Sequence, residues 1–365
     1  MKWSWKVARV AGVDVFIHST FFILIAWIGF SYWVTQRSLN AVANGIIFIL
    51  LLFLFVLMHE FGHALAARKY GITTRDITLL PIGGLARLER MPKVPKQEFW
   101  VALAGPLVNL VLAVILFGWL LLTNGLGGIF NTTVTDGSLL QRLAVVNLTL
   151  LLFNLIPAFP MDGGRVLRAF LAMRMEYTQA TQTAAMIGQG FALIFGLVGL
   201  LFNPFLIFIA LFVWIGASQE SSSVQVKEAI SGIPIRRAML TQFQTLDHNQ
   251  RLSDAVDAIL TGYQQDFPVM KRDEMVGILT RSALVQGLSK DGPTANIASV
   301  MDQSFITADS TEMLERVSER LQSCGCHTVP IFENEQLIGL VTMENIGEFL
   351  MIQSALKQSS MNQGI

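Results

Sequence analysis

The chain has 365 residues, of which 53% are hydrophobic and only 14% are charged, whereas soluble proteins carry about 25% charged residues. Its formal net charge is zero, which argues against the basic attraction typical of nucleic-acid-binding proteins. The composition therefore predicts a membrane protein with no nucleic-acid partner and with room for two or three domains. The long apolar runs all lie within residues 1–220, so residues 221–365 are expected to be soluble.

Six apolar runs are long enough, or nearly so, to cross about 30 Å of hydrocarbon. They are Phe16–Val34, Ala41–Ala67, Trp100–Leu122, Leu139–Ile156, Ala184–Leu201 and Pro204–Ala217. Each is predicted to be a transmembrane helix, and Asn203-Pro204 predicts a tight turn between the last two.

Basic residues collect on one side of these runs. They precede the first run and occupy the connections after the second and fourth runs, whereas residues 123–137 contain no Lys or Arg. The residues concerned are Lys2, Lys6, Arg9, Arg68, Lys69, Arg75, Arg87, Arg90, Lys93, Lys96, Arg165, Arg168 and Arg174. Because cytoplasmic loops carry an excess of Lys and Arg, both termini are predicted to be cytoplasmic and the protein to be multi-pass in a cell (inner or plasma) membrane.

The second run closes with His59-Glu60-Phe61-Gly62-His63. Two histidines at i and i+4 lie on one face of a helix, so both imidazoles can reach one tetrahedral zinc ion at about 2.0–2.1 Å. Glu60, one position along, can take a proton from a metal-bound water. The alternative is a pair of structural core histidines. Charged groups cost about 2.5–3.5 kcal/mol each at the bilayer centre, which favours a functional role.

A second motif ends the fourth run, Asn154-Leu-Ile-Pro-Ala-Phe-Pro-Met-Asp162-Gly-Gly. The second and fourth runs cross in the same direction, so Asp162 is predicted at a depth comparable to that of His59 and His63. Non-helical backbone at this depth is tolerated only where it is buried in protein or lines a wet cavity. Asp162 is therefore predicted to be the third zinc ligand, with capping of the following helix as an alternative or additional role.

Asn147 and Asn154 are seven residues apart and share a face of the fourth run. Helix packing through the amide is favoured for Asn147. For Asn154 two roles stay open, helix packing and donation of a hydrogen bond to a developing oxyanion.

Upstream, Ile72–Leu88 predicts short strands around Pro81-Ile-Gly-Gly84. An exposed strand edge there would pair with a substrate backbone, and a plain interfacial loop is the alternative.

Taken together, HEFGH, the PIGG loop and NLIPAFPMDGGRV resemble the site-2 protease family of intramembrane zinc metalloproteases over roughly residues 1–217. The resemblance implies one zinc ion held by His59, His63 and Asp162, with Glu60 as the base and Asn154 helping to hold the scissile carbonyl. It also implies transmembrane substrates such as single-pass anti-sigma factors. The rival interpretations are a transporter or channel, disfavoured because the runs hold no other Asp or Glu than Glu60, and a catalytically silent metal-binding scaffold.

The soluble part contains an internal repeat with an offset of 62 residues, which pairs Thr245 with Thr307 and Pro268 with Pro330. Each copy predicts helix, strand, turn, strand and helix. This pattern resembles a tandem pair of CBS domains, a regulatory module that often binds adenine nucleotides. Thr342-Met-Glu-Asn345 keeps the ribose-binding pattern of that family, while the first copy departs from it. The alternative is a pair of domains that is purely structural, or one that dimerises and so forms a homodimer.

The predicted architecture is thus a polytopic α-helical membrane protein with about six transmembrane helices and small β elements near the membrane, followed by a soluble α/β tandem CBS module. The predicted boundaries are a protease domain over residues 1–217, a linker over 218–235, and CBS domains over 236–290 and 297–356.

Overall fold

The computed structural model describes residues 3–89, 91–92, 94–124 and 137–362, except for the side chains of 354 and 357–362. The chain forms two compact units, Met1–Val224 and Gln225–Ile365. Lys2, Arg90, Lys93 and most of the predicted 123–137 connection lie outside the described residues.

Apolar helices make up most of the first unit. Their bounds are α1 Ser19–Gln36, α2 Leu39–Lys69, α3 Pro95–Asn124, α4 Leu139–Asn154, α5 Asp162–Ala172, α6 Tyr177–Leu201 and α7 Phe205–Ile230. Within the described residues five of them, α1, α2, α3, α6 and α7, are long and apolar enough to cross a membrane, and α4 is a shorter apolar helix. Each of the six predicted runs therefore contains one of these helices, and the chain is a multi-pass membrane protein.

A four-stranded sheet accompanies these helices, in the order β1 Ser4–Val10, β2 Val13–His18, β3 Thr74–Leu80 and β4 Gly83–Leu88. The strands β2 and β3 pair in parallel, and the two outer pairs are antiparallel. The predicted strands within 72–88 are confirmed. The predicted start of the first span at Phe16 is wrong, because Val13 and Val15 are buried on one face of β2 and the helix begins only at Ser19.

The last apolar helix is longer than its predicted run. Helix α7 does not end at Ala217 but continues through the polar serine-rich stretch to Ile230. No Gly or Pro interrupts residues 217–231, so nothing in this stretch breaks the helix. The first turn-forming residues are Gly232 and Pro234.

The second unit contains the predicted repeat. Its elements are β5 Leu246–Asp247, α8 Leu252–Thr261, β6 Phe267–Lys271, β7 Glu274–Leu279 and α9 Arg281–Asp291, then β8 Ala308–Asp309, α10 Leu314–Cys324, β9 Thr328–Glu333, β10 Gln336–Thr342 and α11 Met343–Asn362. Each half forms a three-stranded sheet with one parallel and one antiparallel pair. Each sheet packs on its own apolar core, which confirms the duplicated α/β unit.

Candidate metal centre and active site

Three buried donor atoms converge inside the first unit. The Nε2 atoms of His59 and His63 lie 3.1 Å apart, and Asp162 Oδ2 lies 3.0 Å from the first and 3.1 Å from the second. The three residues are only 6%, 7% and 8% exposed. The structure thus brings together a histidine pair on α2 and a carboxylate that follows about a hundred residues later.

Close packing of α3 on α2 encloses the two imidazoles. A Cβ atom at Gly105 of α3 would lie 2.2 Å from His63 Nε2 and 2.7 Å from His59 Nε2. A Cβ atom at Gly62 of α2 would lie 2.7 Å from the backbone oxygen of Ala104. Only glycine at these two positions permits the observed approach of the helices, as small residues do at membrane helix interfaces.

A backbone contact orients one of the ligands. His63 Nδ1 lies 2.8 Å from the carbonyl oxygen of Val101 on α3, and a carbonyl only accepts, so Nδ1 carries the hydrogen. This assignment leaves Nε2 with its lone pair facing the cluster, as in metal-bound histidines whose other nitrogen donates to a carbonyl. His59 Nδ1 is buried and has no hydrogen-bond partner among the described residues.

Asp162 reaches the histidines because the backbone after α4 is not helical. The helix ends at Asn154, and seven non-helical residues containing Pro157 and Pro160 precede α5. The N-cap position of α5 is Met161 and not Asp162, so the carboxylate is directed to the imidazoles instead of capping the helix. The segment is buried at Ala158 and Phe159, which satisfies the condition for non-helical backbone at membrane depth.

The donor set fits zinc. Two imidazole nitrogens and one carboxylate oxygen, all within 4.8 Å of one another, are ligand types that zinc accepts. Three protein ligands also leave the fourth tetrahedral position open for water, as in catalytic zinc sites.

The side chain of Glu60 extends from α2, the helix that carries the two histidines, towards the sheet. A Cβ atom at Gly84 of β4 would be 2.6 Å from Glu60 Cγ and 3.1 Å from its Oε1, so the backbone of β4 lies directly against this side chain. β4 is an edge strand, paired only with β3 among the described residues.

An ion pair joins the same two strands. Asp76 on β3 accepts two hydrogen bonds from Arg87 of β4, and these bonds raise the pKa of the Arg87 guanidinium.

The two asparagines of α4 have different surroundings. Asn147 is fully buried, and its Nδ2 donates to the backbone oxygen of Asn109 on α3 at 2.8 Å, so the predicted packing role is confirmed. Asn154 is half-buried at the end of α4. Its side chain has no hydrogen bond within the described part of the chain, and its amide is therefore free to donate.

Sequence reasoning missed a buried ion cluster beside the centre. Arg168 of α5 contacts Glu98 of α3 and Glu220 of α7. The side chains of Arg168 and Glu98 are each 1% exposed. The predicted runs hold no acidic residue besides Glu60, but the helices extend beyond the runs: Glu98 lies just before the third run and inside α3, and Glu220 lies just after the last run and inside α7. The signal available in the sequence was an acidic residue within one turn of the third run.

The second unit holds a separate cavity of about 1150 Å³ whose walls come from both repeats. Thr342 and Asn345 line it, and Thr342 Oγ1 donates to Asn345 Oδ1 at 2.7 Å. The first repeat contributes Asp266 and Arg281. In that repeat Thr280 Oγ1 accepts from the backbone nitrogen of Ala283 at 3.2 Å and lies 3.0 Å from Ser282 Oγ. Ala283 provides no amide or carboxylate at the position that corresponds to Asn345.

Comparison with known proteins finds two family matches in the chain. Peptidase family M50 matches residues 47–197, and the CBS domain matches residues 297–351. A zinc metalloprotease of Methanocaldococcus jannaschii is 32% identical over 348 residues, which cover 95% of this chain and 96% of that protein. Stage IV sporulation protein FB of Bacillus subtilis is 30% identical over 149 residues, 40% of this chain and 48% of its own length.

Among solved structures, the site-2 protease of Methanocaldococcus jannaschii is 39% identical, with a TM-score of 0.44, and the match covers 60% of this chain and 95% of that one. The near full-length relationship to a zinc metalloprotease establishes the family. The chain therefore belongs to peptidase family M50, the site-2 proteases, and is a membrane metalloprotease that carries a CBS domain.

Proposed function

We propose that this protein is an intramembrane endopeptidase that cleaves transmembrane segments of membrane proteins, with one zinc ion per chain held by His59, His63 and Asp162. The observation that carries the proposal is the convergence of these three buried donor atoms from two distant stretches. Bound zinc supplies Lewis-acid chemistry, lowering the pKa of water and polarising a carbonyl. The glycine-lined packing of α3 on α2 supports this role because it holds the imidazoles in place before metal or substrate arrives.

Glu60 is the proton carrier in this mechanism. It takes the proton of the attacking water and delivers it to the leaving amine, as a general base that then acts as a general acid. Contact with the backbone at Gly84 limits where the Glu60 side chain can lie. Asn154 donates its unpaired amide to the oxyanion that develops on the scissile carbonyl, a contribution of about 10²–10³-fold for a single donor.

The free edge of β4 is the proposed substrate contact. A helical substrate hides its carbonyls in its own hydrogen bonds, so it must unwind locally before it is cut. The edge strand lies directly against Glu60 and offers unpaired backbone groups to an unwound segment. Suitable substrates are single-pass regulators similar to anti-sigma factors, whose helices have been weakened or trimmed.

Both termini are proposed to lie in the cytoplasm of a cell membrane. Arg68 and Lys69 end α2 five and six residues beyond His63, and this basic end supports a cytoplasmic position for that end of the helix.

We propose that the second unit is a tandem CBS pair that modulates cleavage by binding an adenine nucleotide, and that it also supports a homodimer. The cavity lined by Thr342 and Asn345 supports nucleotide binding, because hydroxyl and amide groups suit ribose hydroxyls. The first repeat lacks the corresponding side chain at Ala283, which favours one nucleotide per chain.

The experiment compares wild type with Glu60→Gln on a purified single-pass substrate in detergent, with zinc content measured on the same samples. We expect cleavage within the transmembrane segment by wild type only, with equal zinc in both proteins. Equal cleavage by the two proteins would remove the proposal.

A further inference from the structure

Arg168 is the centre of a buried cluster that no step of the proposed mechanism uses. Its Nε and Nη2 atoms contact Glu98 Oε1 at 2.8 and 2.5 Å, and Nη1 contacts Glu220 Oε1 at 2.5 Å. The guanidinium also lies over the rings of Phe159 and Tyr177, 5.1 and 5.0 Å from their centroids. One side chain thus joins α5 to α3, α6, α7 and the segment that precedes Asp162.

The turn of α3 that contributes Glu98 to this cluster also orients a proposed zinc ligand, His63. Glu98 and Val101 are three residues apart on α3, and residues at this spacing are neighbours on a helix surface. Glu98 holds Arg168 of the helix that begins with Asp162, while the carbonyl of Val101 holds His63 Nδ1 at 2.8 Å. A single turn of α3 therefore contacts both ligand-bearing segments.

We propose that Arg168 and Glu98 are positioning residues of the metal centre, which fix the Asp162 carboxylate relative to the two imidazoles. The inference rests on the proposed zinc ligation. Glu220 has a different status, because its side chain is 33% exposed and α7 contributes no group to the centre. The planar guanidinium suits this bridging role, since it donates to two carboxylates in fixed directions.

The test compares two isosteric substitutions on the same guanidinium, Glu98→Gln and Glu220→Gln, in the full-length protein. Zinc affinity is measured by competition with a chromophoric chelator, and the visible spectrum of the cobalt-substituted protein reports ligand geometry. We expect zinc binding to weaken by about 10–100-fold in Glu98→Gln, the usual effect of removing a group that orients metal ligands, together with an altered cobalt spectrum. Glu220→Gln should bind zinc within about twofold of wild type.

Equal weakening in both variants, or none in either, would overturn the inference. If Glu98→Gln does not fold, the paired variant Arg168→Met with Glu98→Leu removes both buried charges, a replacement that is often neutral for stability. A folded paired variant with wild-type zinc affinity would also overturn it. Failure of the proposed zinc site would give a different result from failure of this inference. Wild type itself would then bind no zinc, or Asp162→Asn would bind zinc normally.

Discussion

Gly105→Ala is expected to damage the metal centre while leaving helix α3, which carries Gly105, intact. The added methyl would lie 2.2 Å from His63 Nε2, about 1.2 Å inside the 3.4 Å at which ordinary contact begins. Helix α3 is also held from its other side, because the carbonyl of Asn109 accepts from Asn147 of α4 and Glu98 binds Arg168 of α5. The imidazole must therefore move by about 1 Å, and a displacement of that size costs about 10²-fold in rate.

The assay measures cleavage of a transmembrane substrate and zinc affinity for Gly105→Ala and for Gly118→Ala. A Cβ atom at Gly118 of the same helix would meet nothing within 4 Å, and Ala is the better helix former by about 0.8–1 kcal/mol in soluble helices. We expect a loss of about 100-fold in cleavage for Gly105→Ala only. Wild-type cleavage and zinc affinity in Gly105→Ala would refute the packing argument.

Three further outcomes are expected. Asn154→Ala should lower kcat by about 10²–10³-fold with little change in KM, whereas Asn147→Ala should lower thermal stability more than kcat; the reverse pattern would contradict the two assignments. Gly84→Val should reduce cleavage without changing zinc content, because the side chain would displace Glu60, and unimpaired cleavage would argue against this contact. Asn345→Leu should abolish binding of radiolabelled ATP or AMP to the full-length protein, and undiminished binding would place the nucleotide elsewhere.

The elements that local patterns specify were predictable from the sequence. Helical periodicity placed His59 and His63 on one face of a helix, and the charge pattern of the connections put the end of the fourth run at their depth. The repeat offset and the alternation of helix and strand predicted both halves of the second unit. In each of these cases the deciding information is a pattern that can be read along the chain: periodicity, charge distribution or an internal repeat.

The features that depend on distant partners were not predictable. The strand β2 forms because it pairs with β3, some sixty residues later, while its apolar residues alone resemble the start of a span. Glu98 flanks an apolar run in the sequence, and only tertiary packing shows it to be buried against Arg168. The extension of α7 was missed because its serines suggested a linker, although no helix-breaking residue is present.

The central claim is that the His59, His63 and Asp162 side chains bind one zinc ion. X-ray absorption spectroscopy at the zinc edge, with metal content per chain, tests this most directly on wild type and Asp162→Asn. The account predicts one zinc per wild-type chain with two imidazole nitrogens and oxygen ligands near 2.0–2.1 Å, and a large loss of bound zinc in Asp162→Asn. An unchanged zinc content and spectrum in Asp162→Asn would contradict it.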